Sequence, residues 1–133
     1  HQTIALSEIL SGQHGAGIHR VENIMELGTP TNPRYPHYLA LLALGQILAG
    51  QTDAAIKSAG EGHERAPGDP WCRYVYAAAA ADCESITKSD SFRRMIGSID
   101  LPLTHFRDLA FKNLREVDML EERLVLAGYP GTS

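Results

Sequence analysis

The sequence predicts an all-α fold, and three features of the chain support this prediction. Alanine and leucine, which favour helices, are abundant along its 133 residues, whereas β-branched residues are scattered. No stretch alternates apolar and polar residues between hairpin turns, as the strands of a half-buried sheet would. Glycines and prolines recur between the apolar segments, at positions that suit helix ends.

Eight helices are predicted, each bounded by residues that start or stop a helix. Their approximate ranges are 4–10, 16–26, 36–49, 53–65, 70–82, 90–99, 104–111 and 116–127. Gly28, followed by Pro30 and Pro33, ends the second helix. Pro36 suits the first turn of the third helix, and Gly50 ends it.

Capping residues and prolines set the next two boundaries. Thr52 or Asp53 is expected to cap the fourth helix, and residues 66–69 break it, because they combine a proline, a glycine and an aspartate. Pro70 then begins the fifth helix, which continues through a run of alanines.

The last helices are separated by polar and proline-containing segments. Residues 83–89 are predicted to form a loop, after which Asp90 or Ser91 caps the sixth helix. Pro102 prevents this helix from continuing into the tail, where two further helices are predicted. Gly128 and the proline two residues later close the last of them.

Length, charge and cysteine content narrow the class of protein. A chain of 133 residues is predicted to form one domain, 1–133, and its 44% hydrophobic content indicates a folded, soluble chain. The 12 basic and 16 acidic residues give a net charge of −4, which argues against binding to nucleic acid or an anionic membrane. Two cysteines are too few for a disulfide scaffold, so a cytoplasmic location is expected.

Internal repetition is the most informative feature of the sequence. Residues 10–18 and 48–56 share Leu, Gly, Gln, Ala and Ile at equivalent positions, which indicates one helix-turn-helix unit used twice. Two pairs of prolines repeat with a spacing of 34 residues: Pro33 with Pro67, and Pro36 with Pro70.

Residues 35–67 resemble the tetratricopeptide repeat, which has this spacing. Gly50 matches the glycine of the turn between the two helices, Ala55 and Ala59 match the small residues of the second helix, and Pro67 matches the closing proline. The chain departs from the pattern at Gln46, where an aromatic residue is usual. The resemblance implies antiparallel helix pairs, stacked as about three units over residues 4–99, with capping helices over 100–133.

The tail carries a second resemblance. Residues 118–130 are similar to the closing helix that follows such repeats in bacterial signalling proteins, including class III adenylate cyclase-like proteins and winged-helix regulators. Together the two resemblances imply a non-catalytic protein–protein interaction or scaffold module, in the C-terminal part of a bacterial signalling or regulatory protein. Its expected partner is a protein or peptide, and self-association is the alternative.

No pattern in the sequence predicts a catalytic, metal or cofactor site. The six histidines form no His-Glu-x-x-His motif and are expected at the surface or at helix caps. Cys72 and Cys83 are expected on one helix, about 16 Å apart along its axis, as buried free thiols. The carboxylates of residues 116–122, interleaved with Arg115 and Arg123, are expected to form a solvated, salt-bridged helix face.

A binding groove is therefore the remaining candidate site. In stacked helix pairs the first helices line the concave face, which predicts an apolar and aromatic groove without a cationic clamp. The predicted groove residues are His37, Leu44, Ile47, Trp71, Tyr74 and Ala78. Two alternatives remain: the tail covers Trp71 and Tyr74, or the groove is a closed pocket of a small all-α ligand sensor or enzyme.

Overall fold

A computed structural model describes residues 14–27, 35–99 and 114–129 of the chain. Within these ranges it contains seven helices and no strand, which confirms the predicted all-α class. The helices are α1 (His14–Leu27), α2 (Tyr35–Leu48), α3 (Thr52–Arg65), α4 (Pro70–Ala79), α5 (Glu84–Thr87), α6 (Asp90–Gly97) and α7 (Leu114–Leu126). The helices predicted for 4–10 and 104–111 lie outside the described residues.

Two predicted caps are wrong by one residue or more. Gln51, not Thr52 or Asp53, is the N-cap of α3, and its side chain makes no capping hydrogen bond. Ser89 is the N-cap of α6, since its hydroxyl accepts a hydrogen bond from the Phe92 backbone N–H at 3.2 Å. Serine in extended backbone is a strong N-cap, so Ser89 takes this role and Asp90 becomes the first residue of the helix.

The region after α4 also differs from the prediction. α4 ends at Ala79 rather than near Asp82, and a short helix, α5, occupies part of the segment predicted as a loop. Cys83 is the N-cap of α5, so the two cysteines do not share a helix as expected. Both thiols are free; Cys72 is buried and Cys83 half-buried.

The connection between α2 and α3 has the predicted glycine turn. Gly50 has φ +81°, and the Gly50 and Gln51 N–H groups donate to Ile47 O and Gln46 O at 3.1 and 2.8 Å. This pattern is the Schellman motif, which satisfies the last carbonyls of a helix and favours glycine. The connection is so short that α3 must run back along α2.

Small residues of α3 are buried on its packed side. Ala55 and Ala59, predicted as the small residues of this helix, are fully buried. At the far end a Cβ on Gly62 would lie 3.2 Å from Pro36 O, so glycine permits the approach of the two helices. Gln46, where the chain departs from the tetratricopeptide pattern, is buried, and its Oε1 accepts a hydrogen bond from Ser58 Oγ at 2.8 Å. This bond satisfies a polar pair inside the core.

α4 lies at the centre of the described helices. It packs against α2, α3, α6 and α7, and α1 packs against α2. The largest fully buried side chains come from α1, α2, α4 and α7: Val21, Leu44, Cys72, Tyr74, Val75, Val117, Leu120 and Leu124. The core is therefore shared between the central helices and the tail.

α7 docks on α4 through one apolar face. Leu120 and Leu124 are fully buried, whereas Leu126 is 63% exposed and does not dock. Gly128, with φ +93°, ends α7 in a second Schellman motif, in which the Tyr129 N–H donates to Leu124 O at 2.9 Å. None of the described helices combines the length and the apolar character that crossing a membrane requires.

Arg123 of α7 points inward, which corrects the expectation that it belongs to a solvated charged face. Its Nε donates to Ala78 O at 2.7 Å, and Nη2 donates to Ala79 O at 3.0 Å and to Asp82 Oδ1 at 3.1 Å. A cation at a helix C-terminus satisfies the free carbonyls and the macrodipole. This contact accounts for the end of α4 without a glycine.

Candidate functional site

The predicted groove residues do not line one open surface. Four of them are in the core, each no more than 3% exposed: Leu44, Ile47, Tyr74 and Ala78. His37 and Trp71 are half-buried and present part of their side chains to solvent. Of the predicted set, only these two could meet a partner without rearrangement of the fold.

Aromatic rings fill the space around Tyr74. Trp71 stacks on Tyr74 with ring centroids 6.0 Å apart, and Tyr129 from the tail packs edge-on against Tyr74 at 5.6 Å. Such stacked and edge-to-face pairs are typical of a packed aromatic core. The tail thus covers Tyr74, as one of the two alternatives proposed, while Trp71 lies at the margin of the cluster.

His37 belongs to a polar cluster with Asp69 and Cys72, at the beginnings of α2 and α4. His37 Nε2 donates a hydrogen bond to Asp69 Oδ2. Asp69 is also the N-cap of α4, because its Oδ1 accepts from the backbone N–H groups of Trp71 and Cys72 at 2.9 and 3.2 Å. Cys72 Sγ donates to the carbonyl of Pro36 at 3.6 Å. The cluster therefore joins two helices that are separated in sequence by α3.

Hydrogen bonds stabilise the ionised form of Asp69. Partial burial alone would raise the pKa of this carboxyl, but the hydrogen bonds from His37 and from the Cys72 and Trp71 N–H groups, with the charge of His37, lower it overall. Asp69 is therefore ionised near neutral pH and can hold a cation or a hydrogen-bond donor at Oδ2.

Cys72 has the properties of a buried structural thiol in this arrangement. Burial, reinforced by the nearby Asp69 carboxylate, raises the pKa of Cys72 to about 12. A nucleophilic cysteine requires a lowered thiol pKa. The proximity of His37 therefore does not make Cys72 a catalytic thiolate.

A second histidine, His63 on α3, belongs to an aromatic cluster. Its ring stacks on Tyr76 with centroids 5.4 Å apart, and Tyr76 contacts Phe92 edge-on at 5.8 Å. Burial, together with the positive charge of Arg73 and against the opposing effect of Glu64, lowers the pKa of His63. This cluster holds α3, α4 and α6 together.

Sequence reasoning missed Asp69 and Cys72 as partners of His37, although a usable signal was present. The 34-residue spacing places Pro36 and Pro70 at equivalent positions in two first helices. In a stack of helix pairs, such equivalent ends lie side by side. Residues around the two prolines should therefore have been considered together.

Comparison of the chain with protein-family models, with curated proteins and with solved structures finds no match. The tetratricopeptide resemblance stays a prediction.

Proposed function

We propose that this chain is a non-catalytic protein–protein interaction or scaffold module, built as a short array of stacked helix pairs. The observation that carries the proposal is the order of contacts among the described helices. α2 packs against α3, and α4 packs against both of them. An array of stacked pairs requires this order, because the first helix of each unit must contact its own partner and the next first helix.

The contacts of the helices before α2 and after α4 fit the same stacked arrangement. α1 lies against α2, where the second helix of a preceding unit belongs, and α6 returns against α4 as the second helix of the following unit. α7 covers a further side of α4, as a capping helix does.

The proposed binding edge consists of His37 and Trp71, the groove residues that keep exposed surface. They lie at the beginnings of α2 and α4, and Asp69 connects them by accepting hydrogen bonds from the His37 ring and the Trp71 backbone. Tryptophan is among the residue types that contribute most to interface energies. The proposed partner is a protein or peptide with an apolar side chain that packs on the indole.

The same proposal assigns the chain to the C-terminal part of a bacterial signalling or regulatory protein, in the cytoplasm. The support for this assignment is the likeness of residues 118–130 to closing helices that follow such repeats. The raised pKa of Cys72 argues against nucleophilic catalysis by this thiol.

The test compares two variants with the wild-type chain. A partner is first captured from cell lysate and identified, and the purified partner is then titrated against wild type, Trp71→Ala and Arg115→Ala. Arg115 is the control because it is an exposed charged residue of α7 and is not part of the proposed edge. Trp71→Ala is expected to weaken binding by about 2 kcal/mol or more, whereas the loss of a rim charge has little effect.

Thermal unfolding separates a binding role of Trp71 from a structural one. If Trp71→Ala binds as tightly as wild type but melts several degrees lower, the indole serves the core and the proposed edge is wrong. If Arg115→Ala alone loses the partner, the binding surface lies on α7 instead. Sedimentation of the wild-type chain alone distinguishes self-association from binding to a different protein.

A further inference from the structure

We infer that His37, Asp69 and Cys72 form a binding site for a single transition-metal ion, with zinc the best match. A ring nitrogen of His37, a carboxylate oxygen of Asp69 and Cys72 Sγ all lie within 4.8 Å of one another. The three side chains reach this point from the first turn of α2, the N-cap of α4 and the first turn of α4. Imidazole nitrogen, carboxylate oxygen and thiolate sulfur are the three side-chain ligand types that zinc uses in proteins.

The distances require only a small adjustment to accept the ion. With metal–nitrogen and metal–oxygen distances near 2.1 Å and metal–sulfur near 2.3 Å, ligand atoms in a tetrahedral site lie about 3.5 Å apart. Cys72 Sγ must therefore approach the other two ligands by roughly an ångström at most, while the imidazole and the carboxylate, now in hydrogen-bond contact, must separate slightly. Side-chain rotations of the three residues provide movements of this size.

The hydrogen bonds around the cluster leave the ligand atoms available. Asp69 keeps the cap of α4 through Oδ1, so Oδ2 can exchange its hydrogen bond with His37 for the ion without loss of the helix start. On binding, the thiol gives up its proton to solvent, and the neutral imidazole presents Nε2 while its proton resides on Nδ1. The contact of Cys72 with Pro36 O is then replaced by the sulfur–metal bond.

The chemistry of the ligand set selects the class of ion. Calcium and magnesium take oxygen ligands, so a histidine and a cysteine exclude them as the favoured ions. A mixed N, O and S set suits zinc, and cobalt(II) can replace it with the same geometry. The side chains of His37 and Asp69 are 45% and 23% exposed, so two of the three ligands face solvent while the sulfur is buried.

Three protein ligands leave the fourth tetrahedral position for water or for a group from a partner. The site joins the first turns of α2 and α4 beside Trp71. A bound ion therefore fixes the relative position of the two helices that carry the proposed binding edge. This consequence goes beyond the proposed interaction function, and the metal site itself does not depend on that function.

Cobalt(II) provides a direct spectroscopic test on the full chain, stripped with chelator and kept reduced. We expect one equivalent of cobalt(II) to produce near-ultraviolet thiolate-to-cobalt absorption together with the visible bands of a tetrahedral site. Added zinc is expected to displace the cobalt and so remove both signals. Saturation with zinc at about 100 times its Kd is expected to raise Tm by roughly 5 to 10 °C.

Five variants locate the site. Cys72→Ala is expected to abolish the thiolate absorption, and His37→Gln and Asp69→Asn to weaken cobalt binding at least about 10-fold. Asparagine is as good an N-cap as aspartate, so Asp69→Asn removes a ligand while it keeps the helix start. Cys83→Ala and His19→Gln are the matched controls, since these residues lie outside the cluster and their variants should bind cobalt like wild type.

Three results would overturn the assignment. They are cobalt binding without thiolate absorption, thiolate absorption that persists in Cys72→Ala, and loss of that absorption in Cys83→Ala. If Cys72→Ala fails to fold by circular dichroism, the other two ligand variants decide, and unchanged cobalt affinity in both rejects the site.

Discussion

The guanidinium of Arg123 shows how one side chain sets the end of a helix that is distant in sequence. The Arg123 side chain is only 15% exposed, and its guanidinium donates hydrogen bonds to two backbone carbonyls of α4 and to Asp82. A buried carbonyl that loses its donor retains the desolvation penalty, so these bonds contribute to stability even though the ion pair with Asp82 is half exposed.

Arg123→Met tests this role, because methionine keeps much of the apolar stem but donates no hydrogen bond. We expect the free energy of unfolding to fall by about 1 to 3 kcal/mol, since the carbonyls of Ala78 and Ala79 lose their donors. Urea denaturation measures the change. Arg94→Met is the matched control, because Arg94 is exposed on α6, and a similar loss in both variants would show that the capping bonds contribute little.

His63 makes stability depend on pH in the mildly acidic range. Its pKa in the fold is lowered, mainly by burial and by Arg73, so the unfolded chain binds a proton more readily than the folded one. The contribution of His63 to the free energy of unfolding is therefore fully present above the histidine pKa of the unfolded chain, near 6.5. It is lost as the pH falls from that value through the lowered pKa of the folded chain.

The variant His63→Gln isolates this contribution from that of the other histidines. Wild type should lose more stability than the variant between about pH 7 and pH 5, measured by urea unfolding at each pH. Parallel pH profiles for the two proteins would show that His63 titrates in the fold as it does in the unfolded chain.

At the scale of elements, the α2–α3 pair is the part that the sequence predicts best. Its glycine turn follows a local rule of backbone conformation, and the structure confirms it. Ala55 and Ala59, predicted as the small contact residues, are fully buried. The end of α4 could not be predicted in this way, because it depends on Arg123, more than 40 residues later in the chain. The alanine run alone indicates a longer helix.

The predicted groove residues also differ in how well the sequence predicts them. His37 and Trp71 were predicted from helical spacing and retain exposed surface, whereas Leu44 and Tyr74 share that spacing but are buried. Periodicity identifies a helix face but does not say what covers it. Here the covering comes in part from Tyr129, at the far end of the chain.

Ala55→Leu tests the close contact of α2 and α3. Ala55 is fully buried, so three additional carbon atoms overpack the interface, and we expect a loss of about 1 to 3 kcal/mol in the free energy of unfolding. Lys57→Leu adds leucine at an exposed position of the same helix and should change stability by no more than about 0.5 kcal/mol. Equal stability of the two variants, measured by urea unfolding, would mean that the assigned contact is wrong.

At the scale of the whole molecule, the tail belongs to the fold. Val117, Leu120 and Leu124 are almost fully buried, and Arg123 and Tyr129 from the same segment contact α4 residues. A chain without this segment would expose one side of α4, including the ring of Tyr74. Exposed apolar patches of this kind promote aggregation.

Deletion of residues 103–133 is therefore expected to give an aggregated or unfolded product, as judged by size-exclusion chromatography and thermal unfolding. Two substitutions in the full chain distinguish the loss of α7 docking on α4 from a general effect of truncation. Leu120→Ala removes a fully buried side chain and should lower the free energy of unfolding by about 2 to 5 kcal/mol, whereas Leu126→Ala, at a position 63% exposed, should have little effect. A soluble truncated chain with a cooperative melting transition, together with a near-wild-type Leu120→Ala, would instead assign α7 to a partner, because its apolar face would then not be needed by the rest of the fold.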